Sequence, residues 1–134
     1  MGVLKRRFKK LHSTLKNCGK VNVDKQVVRL SPDVIPKGHV LVSYIIESFL
    51  IDPSHPELRS HTHYWETRHI VNSFLDLGYV IDLISYRNTI FRPERNYDFF
   101  VCALTNFDRL AAMLNDPCIK VAHLDTAHWI TSNH

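Results

Sequence analysis

The sequence predicts an α/β domain built on a parallel sheet, and three features predict it. Short apolar runs rich in β-branched residues recur at 39–46, 79–85, 97–103 and 118–124, as expected for strands buried on both faces. Segments with apolar residues at helical spacing lie between the first two runs and again between the last two. Strands alternating with helices specify parallel βαβ units. Finally, 134 residues with 45% hydrophobic, 22% charged, 4 Gly and 6 Pro have the size and composition of one globular domain. They exclude collagen-like, low-complexity and wholly disordered classes.

The elements follow in order. Leu4, Phe8, Leu11 and Leu15 recur at i, i+4, i+7 and i+11 among lysines and arginines, which predicts a basic amphipathic helix. Such a helix suits peripheral contact with an anionic membrane through residues 3–16, or an acidic partner. It equally suits a solvated tail that lays one stripe on the domain. Residues 17–38 carry Asn17, Gly19, Pro32, Pro36 and Gly38 and read as a linker with a brief extended piece at 27–30. The expected division is therefore an N-terminal helix and linker, 1–37, and a folded domain, 38–134.

The first strand, 39–46, leads through a polar loop, 47–60, into a helix that opens at His61-Thr62-His63. Ile70, Val71, Phe74 and Leu75 form its apolar face, and Gly78 stands where a left-handed cap is usual. A second strand spans 79–85, a short third is expected near 89–91, and a fourth spans 97–103. Thr105 with Asp108 three residues later matches a capping box, ahead of a helix with Phe107, Leu110, Ala111 and Leu114 on one face. Asn115-Asp116-Pro117 ends it, and 118–124 is the last strand. The sequence stops at His134, where another helix is due, so the sheet is expected to be incomplete at its C-terminus.

Charge and special residues narrow the function classes. Residues 1–37 hold ten Lys/Arg against Asp24 and Asp33, whereas residues 38–134 hold seven against eleven acids. The basic charge belongs to the tail and the remainder is acidic, which speaks against nucleic-acid binding. The 3 cysteines are odd in number and lack CxxC spacing, so they read as reduced thiols. The longest apolar stretch falls short of the ~18 residues of a membrane span. Lysines and arginines fill the place of a signal-peptide core. The expected location is the cytoplasm.

Open parallel sheets bind ligands beyond the carboxyl ends of their strands, and there the sequence is polar. Glu47 follows the first strand, while His61, Thr62, His63 and Glu66 begin the first long helix. Thr105 and Asn106 follow the fourth strand, and His123, Asp125, Thr126 and His128 surround the end of the last. Backbone N–H groups at the start of a helix could meet a phosphate or a sugar hydroxyl at 61–63, or Thr62 could simply cap the helix and Glu66 complement its dipole. His123-x-Asp125-x-x-His128 suits a general base oriented by an acid, a metal site drawing also on His61 and His63, or solvated histidines. Neither GxGxxG nor GxxxxGK[ST] follows the first strand.

The order of motifs from Gly38 to Asn133 resembles the N-terminal Rossmann-like domain of GT-B glycosyltransferases, in particular bacterial retaining enzymes that use nucleotide-sugar donors. Ser60-His-Thr-His-Tyr-Trp-Glu66 followed by Leu75-Asp-Leu-Gly-Tyr-Val-Ile-Asp-Leu-Ile84 carries the resemblance. Two departures stand out: His61-Thr62 replaces the family's Gly-Gly pair, and the donor-binding C-terminal domain has no room in 134 residues. The resemblance implies an acceptor-side half, inactive alone and without a cofactor. In it Glu47, His61, Thr62, His63, Glu66, Thr105, Asn106 and His128 contact a sugar acceptor, with His123 and Asp125 as catalytic residues. A nucleotide-sugar would be engaged only together with a C-terminal domain. The rivals are a small metal-dependent hydrolase using the histidines and a non-catalytic binding module.

Overall fold

The computed structural model describes residues 22–52, 54–60 and 62–123. Five strands, β1 (Val27–Leu30), β2 (Gly38–Tyr44), β3 (Tyr79–Ser85), β4 (Phe99–Ala103) and β5 (Ile119–His123), form one sheet in the order β1-β3-β2-β4-β5. β2, β3, β4 and β5 are parallel, and β1 pairs antiparallel with β3. The sheet is thus mixed, and the fold is α/β.

Strand alternation divides the core in two. On one face Val40, Val42, Ile81, Leu83 and Val101 pack with Val71 of the long helix α2 (Thr62–Leu77), which follows the short α1 (Glu57–Ser60). On the other face Leu41, Ile84, Phe100 and Cys102 pack with Leu110 of α3 (Phe107–Ala111), and with Leu114. Runs buried from both sides explain why these strands show little polar alternation. α2 stops where the chain adopts φ +96° at Gly78, a left-handed conformation that costs glycine little.

Three expectations change. Residues 27–30 are an antiparallel edge strand of the sheet: Val28 and Leu30 are buried among Val42, Tyr44 and Leu83. The division at residue 37 therefore runs through the sheet. Four residues alternating exposed and buried give a faint sequence signal, and the stretch that follows, with Pro32 and Pro36, masks it.

The strand expected near 89–91 does not form. Asn88 folds the backbone into a turn, its Oδ1 accepting from the N–H groups of Ile90 and Phe91 at 3.1 and 2.9 Å. Arg109 and Asn106 then take up the carbonyls that a strand would offer a neighbour. Arg109 donates to the carbonyls of Asn88 and Phe91, and Asn106 Nδ2 to that of Asn88. The capping box is absent as well: α3 is preceded by Asn106, with no side-chain cap bond, and Thr105 is exposed.

The basic helix expected near the N-terminus and the helix expected past residue 124 lie outside the described residues. Among the described residues no helix is long and apolar enough to cross a membrane. Cys102 and Cys118 are buried free thiols whose burial raises their pKa, which keeps them unreactive. Truncating a buried leucine removes transfer energy and leaves a cavity. Leu30→Ala should therefore cost about 2–5 kcal/mol in urea unfolding, whereas substitution in a detached linker would change stability by less than about 0.5 kcal/mol.

Candidate functional site

β2 lies between β3 and β4, and its neighbours are reached by connections leaving in opposite directions, so the chain diverges at its carboxyl end. Crevices at such points hold ligands in open parallel sheets. A pocket of about 310 Å³ opens there, near the lower limit for a small-molecule site. β2 contributes Tyr44 and the following Ile45, and β4 and β5 contribute Ala103 and His123. His63 enters from the first turn of α2, with Tyr86 and Thr105 at the rim.

Behind this lining sits the carboxylate of Glu66. Tyr44 donates its hydroxyl proton to Glu66 Oε2 at 2.9 Å, and the same oxygen lies 3.4 Å from His63 Nδ1 and 3.5 Å from His123 Nε2. His63 Nδ1 is also 3.2 Å from the Tyr44 hydroxyl. α2 places His63 and Glu66 one turn apart on one face, so both reach the strand ends together. Burial raises the Glu66 pKa, but the hydrogen bonds with Tyr44 and His63 and the approach of His123 outweigh it and hold the carboxyl below the usual range.

The tyrosine ring does a second task. Tyr44 is 2% exposed; its ring joins the core while its hydroxyl reaches the site, and the His123 ring packs 5.2 Å from it, centroid to centroid. His123 Nε2 is enclosed, without a hydrogen bond of good geometry, and lies 3.5 Å from Glu66 Oε2. When Nε2 carries the proton, Nδ1 of the neutral ring is an acceptor for a ligand.

Of the residues expected from sequence, the fold unites His63, Glu66 and His123, with Thr105 at the rim. Glu47 stands apart: its Oε1 meets Arg87 at 3.0 Å, and Arg87 also binds Asp24. That network pins the 22–26 segment to the turn after β3. Asn106 is structural, its amide spent on Asn88 and Arg109. Thr62 is exposed at the start of α2. His61, Asp125 and His128 lie outside the described residues.

Sequence reasoning pairs His123 with Asp125, which lies outside the described residues, and misses the carboxylate that the fold brings to face it, Glu66, 57 positions earlier in the chain. It also passed over Tyr44, although a lone polar tip ending an aliphatic strand is a readable signal. Among the described residues no group of three His, Cys, Asp or Glu side chains is disposed to hold a metal ion. No protein-family model, curated protein or solved structure matches this chain.

A carboxyl held below its usual range stabilises the fold above that range and loses the contribution as pH falls through the lowered value. Removing the Tyr44 hydroxyl should raise the Glu66 pKa and move that loss to higher pH. The expected result is an upward shift of the Glu66 side-chain titration in Tyr44→Phe, read by carbon NMR. An unchanged titration would show that the hydroxyl does not set it.

Proposed function

We propose that the pocket at the end of β2 binds a sugar or glycan acceptor, and that the chain serves as the acceptor-side, Rossmann-like half of a glycosyltransferase that draws on a nucleotide-sugar donor. The observation that carries this reading is the convergence of Tyr44, His63 and His123 on Glu66 at the point where the strand order diverges. Sugars present hydroxyls that need both donors and acceptors, and C–H faces that pack on aromatic rings. The pocket offers both, its lining combining the imidazoles of His63 and His123 and the Tyr44 hydroxyl with the ring of Tyr86, Ile45 and Ala103.

In this reading Nδ1 of His123 accepts a hydrogen bond from the acceptor hydroxyl, and Glu66 fixes the ring through Nε2. His123 is then the residue that touches substrate, and Glu66 and Tyr44 are positioning residues. A fixed hydroxyl reacts faster because its orientation is set in advance. Stabilising the departing nucleotide diphosphate belongs to a donor-binding half.

The test is a calorimetric and NMR titration of the full chain against a panel of mono- and disaccharides. Saturable binding by at least one sugar is expected, weakened about tenfold or more in His123→Ala and Glu66→Gln, the loss of a charge-assisted hydrogen bond. The chain alone should release no nucleotide diphosphate from nucleotide-sugars. Binding by none of the panel, binding indifferent to both variants, or release abolished by His123→Ala would overturn the reading.

A further inference from the structure

A second cleft, of about 450 Å³, opens beside β1 and β3 and shares no residue with the pocket at the end of β2. Its floor is the carboxylate of Asp82, 1% exposed, with the Tyr97 hydroxyl donating to it at 2.6 Å. Around this floor stand four cations, Lys25, Arg29, Arg92 and Arg95, and one further acid, Glu94. The lining thus carries a surplus of two positive charges.

The surplus is not absorbed locally. Arg29 grips Asp82 with two hydrogen bonds, of 2.6 and 3.1 Å, and Arg95 Nε approaches the same carboxylate at 3.6 Å. Two guanidiniums share one negative charge, which Tyr97 also engages. The side chains of Arg92 and Lys25 meet no hydrogen-bond or ion-pair partner among the described residues. Beside these cations Val27 and Ile90 are 43% and 60% exposed and give the cleft an apolar wall.

We propose that this cleft binds a phosphate monoester of nucleotide size, its phosphate held by Arg92 and Arg95 and its apolar part laid against Val27 and Ile90. A phosphate monoester carries about two negative charges at neutral pH, which matches the surplus. Guanidinium forks fit phosphate oxygens in pairs, and the volume suits a ligand of this size.

The probes are AMP, adenosine and inorganic phosphate, titrated at low salt into the full chain. AMP should bind saturably at one site, with inorganic phosphate weaker and adenosine weaker still. Arg92→Ala should reduce AMP affinity about tenfold, and Arg92→Ala/Arg95→Ala further. Arg92 makes no contact that folding needs, so its variant should melt with the native chain and keeps the test valid if the double variant does not fold. Lys9→Ala/Lys10→Ala, in the basic N-terminal segment, should leave AMP affinity unchanged. The proposal is overturned if AMP does not saturate, if adenosine binds as well as AMP, if Arg92→Ala has no effect, or if affinity is lost with the lysines instead.

Discussion

A single ionised carboxylate lies in the middle of β3, flanked on both sides by the apolar Val80, Ile81, Leu83 and Ile84, and the arrangement of the sheet edge follows from satisfying it. Leaving Asp82 charged without partners would cost several kcal/mol, and burial alone would push its pKa up. Hydrogen bonds from Arg29 and Tyr97 reverse that and hold it below the usual carboxylate range. Arg29 sits directly opposite Asp82 in the register of β1 and β3, so the ion pair fixes which residue of β1 faces which of β3. A slip of one position would turn Val28 and Leu30 out of the core. Tyr97 brings the segment before β4 to the same carboxylate, and burial together with that hydrogen bond raises the tyrosine pKa. One acid thus joins the edge strand and the connection from β3 to β4.

The consequences reach the candidate site through packing. With β1 in register, Val28 and Leu30 complete the cluster that also contains Val42, Tyr44 and Val71. Tyr44 belongs to that cluster by its ring and to the site by its hydroxyl, so the position of the Glu66 carboxylate depends on how well the core beneath it is filled. Interiors packed to crystal-like density transmit such displacements. Second-layer support of this kind separates a site held to fractions of an ångström from a loose set of polar groups.

Much of the frame could be read from the sequence because the signals were long or chemically sharp. The four parallel strands announce themselves as apolar runs, and α2 by its periodicity and by Gly78. What escaped reading depended on partners distant in the chain. β1 is four residues long, and only its pairing with β3 makes it a strand. The 88–91 turn is decided by Asn106 and Arg109, which satisfy its carbonyls from a later helix. At the site, His63, Glu66 and His123 were legible as polar groups at strand ends. That the Glu66 carboxylate faces His123 was not, since 57 positions separate the two in the chain and only the fold brings them together. Asp82 itself carried an unread message: a charge inside a strand buried on both faces requires a counter-charge, and Arg29 is placed to give it.

The dependence of the edge strand on this carboxylate is tested most directly by a double-mutant cycle on Arg29→Ala and Asp82→Ala, with stability measured by urea unfolding of the full chain. Each single variant leaves a partner of the pair behind, and the double removes both. The expected outcome is a coupling of about 1–3 kcal/mol, the range for hydrogen bonds to charged groups and for residues in one network. Effects that add to within about 0.5 kcal/mol, as for independent sites, would contradict the claim that Asp82 holds β1 to the sheet.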